Sequence, residues 1–395
     1  MFAIFLILFF RKTGKLREII DFGVEKKLLG KLSSRHQCST ETTLHLYSKL
    51  EKAYSSIEDL LNLLSSISEL AKEFPLRSNE IDLLEKRRTR ACFETKKVET
   101  TLDKLRILIQ DSLLVDYDED DEHQSLCGNS ESQLRHEARE IARMMRFQYL
   151  NLLVDLAIER QLGDVLKFSL ILRRSYSVKK PPNDSAGILE SIPGLGPKLA
   201  KKLRHEFFEE DDRDFESWDD LKSRFSSSYS SVSKINSACG RNYDFGNSIL
   251  NFVKQVKILQ MTGSLRENEL RVEIETKPEV LEKNLTVPKE KLRQRFHLLC
   301  VSEADEKKIR LHRIVKPTEN YREVVYCNSD NCVIYLISDD LPLLDVMLKL
   351  KLGDLRSTRE VPAQDENSEV VSSQNYCVTT SEFWPFQSMR QITPD

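Results

Sequence analysis

The chain has 395 residues, 31% of them charged and 40% hydrophobic, with a formal net charge of -3 at pH 7. These are the proportions of an ordinary globular chain long enough for two or three domains. They exclude steering by overall charge toward nucleic acid or acidic lipid, so any polyanion contact must come from local clustering.

In chain order, residues 1–15 open with MFAIFLILFF before Arg11 and Lys12. A membrane-spanning helix needs about 20 apolar residues, and neither a basic n-region nor a small-residue cleavage site flanks this run. The expectation is a buried strand or a truncated, mis-started chain rather than a signal or anchor. Residues 16–115 read as helical, with apolar residues three and four apart in IEDLLNLLSSISEL (57–70) and VETTLDKLRILIQ (98–110). Residues 116–133, DYDEDDEHQSLCGNSES and its flank, read as an acidic surface loop. The DEHQ within it is not a helicase DExH box, because the order is wrong and no apolar strand precedes it.

Residues 134–175 read as one long helix and a second, broken near Gly163. Arg135, Arg139, Arg143 and Arg146 share one face, and Ile141, Met144, Met145, Leu152, Leu153 and Leu156 are free to pack. From Arg135 to Arg204 there are 14 Lys and Arg against 7 Asp and Glu, a local positive surplus. Phe147 and Tyr149, close to Arg146, either stack on bases of a single strand or belong to the core.

Residues 185–225 hold ILESIPGLGPKLAKKL (188–203), two helices joined through Gly194 and Gly196, a helix-hairpin-helix signature. Glycine lets the backbone approach a ligand closely, and the N-H groups opening the second helix can bind phosphate. Pro197 suits a first helical turn, Lys198, Lys201 and Lys202 add positive charge, and Leu195, Leu199 and Leu203 hold the hairpin to its core. The alternative is a packing turn with solvated lysines, which the acidic EEDD at 209–212 favours.

Residues 226–268 read as linker and short helix: FSSSYSSVSKINS (225–237) is Ser-rich loop, and NSILNFVKQVKIL (247–259) is amphipathic. From 269 to 352 the period becomes two, with strand-like runs at 270–275, 296–302, 308–315, 323–327 and 332–338, which predicts a β-sandwich. NSDN (328–331) is turn chemistry and predicts a hairpin. Residues 353–395 read as a disordered tail. The fold class expected is α+β multidomain: an N-terminal all-α helical bundle with a helix-hairpin-helix, then a C-terminal β-sandwich.

No catalytic set emerges. A P-loop needs GxxxxGK[ST], and Gly14-Lys15 and Gly30-Lys31 are each followed by Leu. His205, His297 and His312 stand isolated without metal spacing. The eight cysteines, Cys38, Cys92, Cys127, Cys239, Cys300, Cys327, Cys332 and Cys377, are scattered. Only Cys327 and Cys332 lie close, and not as CxxC, so reduced thiols are expected rather than disulfides or zinc.

The order of parts carries more. LLGKLSSRHQCSTETT (28–43), EDLLNLLSSISELAKEFPLRSNE (58–80), REIARMMRFQYLNLLVDLA (139–157), the Gly-Leu-Gly hairpin and a β-sandwich follow one another. Within this run Ser68, Glu69, Leu70, Phe74, Leu76, Arg77 and Glu80 match a recurrent pattern. Over roughly residues 20 to 350 the chain resembles the C-terminal Sec-sixty-three-like module of superfamily-two helicases. That module comprises a winged helix, here degraded within 16–115, a ratchet helix, a helix-hairpin-helix and an immunoglobulin or fibronectin-like sandwich. The single copy, the hairpin sequence and Asp330-Asn331 look most like the meiotic crossover DNA helicase branch. The resemblance implies a nucleic-acid-binding accessory module of an ATP-dependent 3'-5' DNA helicase in meiotic recombination, located in the nucleus. It makes Arg139, Arg143 and Arg146 the strand contacts, with Gly194, Gly196, Lys198, Lys201 and Lys202 guiding the strand. Implied partners are single-stranded or branched DNA, with RNA as an alternative, and helicase core domains or recombination proteins; no membrane and no small-molecule substrate are implied. ATP and Mg belong to the ATPase domains of the family, which this chain lacks, so no cofactor is expected here. The alternative is a protein-interaction scaffold, as in the spliceosomal and endoplasmic-reticulum translocation members.

Overall fold

Serine and threonine caps set the helix starts in the first half of the chain. Ser39 accepts a hydrogen bond from the Thr42 N-H, and Ser56 with Asp59 and Thr100 with Asp103 form reciprocal capping boxes. The computed structural model describes residues 15–50, 54–113, 130–182, 187–208, 217–225, 229–266, 269–276, 294–302, 308–316, 321–326, 331–342 and 344–351. It is mixed α and β, with a helical unit, residues 1–159, and a second unit, residues 160–395, that carries two antiparallel sheets. The apolar run at 1–14, the acidic stretches at 116–129 and 209–212, and the tail from 353 lie outside the described residues. Among the described residues no helix is long and apolar enough to cross a membrane.

The first unit contains α1 (Lys15–His36), α2 (Thr40–Lys49), α3 (Ile57–Ser65), α4 (Ser68–Glu73), α5 (Ile81–Arg88), α6 (Thr101–Asp111) and α7 (Ser130–Met144). The last continues through a π-helical turn, Met145–Tyr149, into α8 (Leu150–Glu159). Residues 130–133, expected in the acidic loop, form the opening turn of α7, whose Leu134 is fully buried. The predicted apolar spacing is used: Leu60, Leu64, Leu70, Leu105 and Leu108 have no exposed surface.

Four charged side chains close a ring inside this unit. The Lys104 ammonium lies 2.7 Å from Glu80 Oε2 and 2.8 Å from Glu137 Oε2, and it donates to the Pro75 carbonyl at 2.9 Å. Arg77 bridges the other oxygens, meeting Glu80 Oε1 and lying 2.6 Å from Glu137 Oε1. The Lys104 contact with Glu137 is an ion pair without hydrogen-bond geometry. Lys104 and Glu80 are fully buried, so each charge depends on its partners.

The second unit begins with α9 (Gly163–Val178); the break predicted near Gly163 falls just before it, where Gln161 has φ 56°. Then follow α10 (Gly187–Glu190), α11 (Pro197–Phe208), α12 (Trp218–Phe225), α13 (Tyr229–Cys239) and α14 (Tyr243–Gln255). Residues 229–237, read as loop from their serines, are helical because Val232, Ile235 and Cys239 recur at helical spacing and are buried, leaving the serine positions to tolerate the helix.

Seven strands complete the unit: β1 (Leu259–Arg266), β2 (Glu269–Thr276), β3 (Phe296–Ser302), β4 (Ile309–Val315), β5 (Tyr321–Tyr326), β6 (Asn331–Ser338) and β7 (Val346–Lys351). They pair antiparallel in the orders β1-β2-β5 and β4-β3-β6-β7. The predicted hairpin at 328–331 is corrected by this order. β5 pairs with β2 and β6 pairs with β3 and β7, so the link joins different sheets, and its residues 327–330 lie outside the described ones. Turn chemistry is local, whereas strand pairing is decided by where each apolar face is buried. β1 and β7, which the sequence reading lacked, meet where Gly263 abuts Leu348; a Cβ on Gly263 would lie 2.8 Å from Leu348 Cδ2. Both sheets and the helices α10 to α14 feed one apolar core, and the Trp218 indole N-H donates to the Pro342 carbonyl at 2.8 Å.

Strand β3 is buried along its whole length because α9 packs on β3 and β6 from the opposite side of their sheet. Arg174 fastens α9 there, donating to the Ser338 carbonyl at 3.1 Å and to Asp345 at 2.6 Å. Arg173 meets Asp339 and donates to His297 Nε2 at 3.0 Å. That leaves the His297 proton on Nδ1, from which it donates to His312 Nε2 at 2.9 Å, the rings lying parallel. The two histidines read as isolated are therefore partners, brought together by the β3–β4 register.

Two predictions follow from these contacts. Lys104→Met leaves two buried carboxylates on one arginine, and the first unit loses about 3–5 kcal/mol by denaturant unfolding; a loss under about 1 kcal/mol would contradict the ring's role. Burial, then the neighbouring His297, whose Nδ1-H occupies the His312 Nε2 lone pair, and the Arg173 guanidinium lower the His312 pKa from 6.5 to about 4. The folded state resists this proton, so its stabilising contribution is complete above the unfolded pKa and lost as pH falls from about 6.5 toward 4. On the order of 1–2 kcal/mol is expected across that window, discounted because the ring is partly solvated; urea titrations at stepped pH should show this loss, and His312→Gln should flatten it.

Candidate nucleic-acid interface

The long helix of the first unit presents its cations around a one-residue irregularity. At the π-turn the Leu150 N-H bonds to the Met145 carbonyl, an i to i+5 bond that lodges one extra residue in the turn. Met145 and Tyr149 both stay buried, and Phe147 between them is left 60% exposed. The Arg146 guanidinium lies 5.1 Å from the Phe147 ring centroid, within cation-π range. Arg143 is exposed and bonds Glu140 at 3.0 and 2.9 Å, an exposed pair worth a few tenths of a kcal/mol and easily exchanged for a phosphate. Arg139 is only half-exposed. The arginines thus do not form one uniform solvent face: Arg143 and Arg146 face out, and Arg139 turns toward the protein.

Of the two aromatics, Phe147 is exposed and Tyr149 belongs to the core. Tyr149 donates to Glu69 Oε2 at 3.2 Å, and burial followed by the Glu69 charge pushes its phenol well above the usual range. Burial opposes ionisation of Glu69, but hydrogen bonds from Ser39, Thr42 and Tyr149 outweigh it and lower its pKa. Cys38 nearby is a buried thiol pushed up to about 12 by burial and then by Glu69, which leaves it unreactive.

In the second unit, α10 and α11 flank the Gly-Leu-Gly turn. The Leu195 N-H bonds the Ile192 carbonyl at 3.0 Å, and the Leu199 and Ala200 N-H groups bond the Gly196 carbonyl at 3.0 Å. Gly194 has φ 85°, a conformation side chains rarely adopt. Gly196 has no such requirement, and a Cβ there would meet nothing within 4 Å; its backbone is open on that side. Leu195, Ala200 and Leu203 are buried, Leu199 packs partly against them, and Lys198, Lys201 and Lys202 are exposed.

The positive surplus between Arg135 and Arg204 is partly internal. Lys180 and Arg204 both bind Glu190, Arg204 at 3.1 Å, and so tie α10 to α11. Lys167, Arg173 and Arg174 serve the packing of α9, Lys167 lying 4.3 Å from the Phe168 ring centroid. The sequence gives no sign of this division, because ion-pair partners such as Asp339 and Asp345 come from distant strands. The candidate residues fall in two groups, three arginines in the first unit and the glycine turn with its lysines in the second. Also outside the sequence reading were the internal use of Arg77, Glu80 and Glu69 and the helix α13, joined by a tight turn to α14, which overlaps the amphipathic stretch expected at 247–259. Among the described residues no group of three or more His, Cys, Asp or Glu is placed to hold a metal ion.

The two glycines separate experimentally. Gly194→Ala should cost about 1–2 kcal/mol of stability through left-handed backbone strain, and Gly196→Ala should stay within about 0.5 kcal/mol, measured by denaturant unfolding. Equal costs at both positions would contradict this assignment. No family model matches the chain and no curated protein matches it, so the functional reading rests on its residues and their geometry.

Proposed function

We propose that this chain is a nucleic-acid-binding accessory module, related to the Sec-sixty-three-like region of meiotic DNA helicases. It handles single-stranded or branched DNA in recombination, in the nucleus. In this reading α10, the glycine turn and α11 are the helix-hairpin-helix, α7 through α8 is the ratchet helix, and the two sheets are an immunoglobulin or fibronectin-like sandwich. ATP hydrolysis, with its Mg, belongs to helicase core domains acting as partners; this chain supplies strand contacts and no catalytic residue.

The observation that carries the reading is the Arg143, Arg146 and Phe147 group at the π-turn. A guanidinium against an exposed aromatic ring, on a helix whose other side is buried, offers a charge for phosphate and a face for a base. Lys198, Lys201 and Lys202 beside an open glycine backbone offer the same phosphate chemistry. A second reading, a protein-interaction scaffold, is favoured by Ile314 and Val324, which are 59% and 47% exposed on the edge strands β4 and β5.

Fluorescence anisotropy with labelled single-stranded DNA across a salt series tests the proposal. Affinity should fall linearly on a log-log plot, and Arg143→Ala with Arg146→Ala should reduce the slope by roughly 1.4, two phosphate contacts. Phe147→Ala should instead weaken binding by about 1–3 kcal/mol with the slope unchanged, as loss of stacking requires. Absence of binding at low salt would remove the nucleic-acid reading and leave the scaffold.

A further inference from the structure

The second helix-turn-helix of the second unit places its turn beside the first, and we propose that the two turns form one surface for a nucleic-acid phosphate backbone, with Arg241 as its further cation. The inference rests on the nucleic-acid reading above and extends it to a stretch that reads as linker and short helix in the sequence.

Three observations carry it. First, the turn between α13 and α14 is built rigidly. Gly240 has φ 60°, the Arg241 N-H bonds the Asn236 carbonyl at 3.0 Å, and Asn236 Oδ1 accepts the Gly246 N-H at 2.9 Å. A Cβ on Gly246 would lie 2.8 Å from that oxygen and 2.9 Å from the Val232 carbonyl, so the two helices are clamped at van der Waals contact. Second, the two turns are neighbours. Gly194 is covered by Phe245 in the first turn of α14, with Phe245 Cε2 3.5 Å from where a Cβ would sit. Third, α11 packs on α13, and Lys202 and Arg241 both stand close enough to Cys239, at the end of α13, to act on its thiol. Burial raises the pKa of that thiol, while the two positive charges lower it.

Residues 191–202 and 240–246 together carry Lys198, Lys201, Lys202 and Arg241, all exposed, against one carboxylate, Asp244. Lys198 and Lys202 are about 6 Å apart along the α11 axis, and Arg241 adds an exposed charge from the turn that follows α13, the helix packed on α11. Cations spread over two elements fit a repeating polyanion such as a nucleic-acid strand, where a small anion would need donors converging on one point. Arg241 is well suited to this, because its planar guanidinium can hold a phosphate through two bonds.

The test uses the full chain, with single-stranded and duplex DNA as probes, over a salt series. Arg241→Ala should weaken binding about 3- to 10-fold near 0.1 M salt and lower the log-log salt slope by roughly 0.7–0.9, one phosphate contact. Arg241→Lys should keep the slope, and thermal melts of both variants should match the parent chain. If Arg241→Ala leaves affinity and slope unchanged while Lys198→Ala with Lys201→Ala weakens binding, this inference fails and the reading it rests on stands. If the parent chain shows no salt-dependent binding to either probe, both fail.

Discussion

A closed ring of alternating charges in the first unit joins α6, α7 and the segment before α5. Lys104 on α6, Glu137 on α7, and Arg77 and Glu80 on the segment before α5 pair with one another, with Lys104, Glu80 and Glu137 shut away from water and Arg77 partly exposed. Desolvation makes such a ring no stronger than a well-packed apolar core. What it imposes is register, because apolar surfaces slide while four paired charges accept one alignment. The long helix is held at Glu137 by the ring and at Tyr149 by the bond to Glu69. Between those two anchors the π-turn absorbs one extra residue, and Phe147 is the side chain left outside. The polar residues of the 68–80 pattern therefore act from within, fixing the helix that bears the candidate strand contacts.

The second unit solves a different problem, covering a sheet on both faces while leaving basic residues free. Arg173 and Arg174 pin α9 to one face of the four-stranded sheet, and the helices α10 to α14 join the core on the other through Trp218. Glu190 holds Lys180 and Arg204. The lysines of α11 are left exposed around two glycine turns. Cations with inward carboxylate partners are structural, and those left at the surface carry the proposed function.

Much of this organisation is legible in the sequence. Three-and-four apolar spacing at 57–70 and 98–110 marks real helices, Gly163 marks a real break, and alternation from 269 onward marks real strands. Gly194 sits in the left-handed turn that Gly-Leu-Gly suggests. What stayed hidden is set by distant parts of the chain. The histidine pair exists only through strand register, the link at 328–331 runs between sheets, and α13 is masked by serines that a helix tolerates when three apolar residues anchor it. The π-turn has no sequence signature, so composition alone could not say whether Phe147 or Tyr149 would face outward.

The proposed strand contacts concentrate at the π-turn and the paired glycine turns. Photo-crosslinking of a single-stranded oligonucleotide to the full chain, with crosslinked peptides mapped by mass spectrometry, tests this placement most directly. Crosslinks are expected at residues 143–147 and in the segments 194–202 and 240–245. Crosslinks confined to other surfaces, or none under conditions where the oligonucleotide is bound, would contradict this placement.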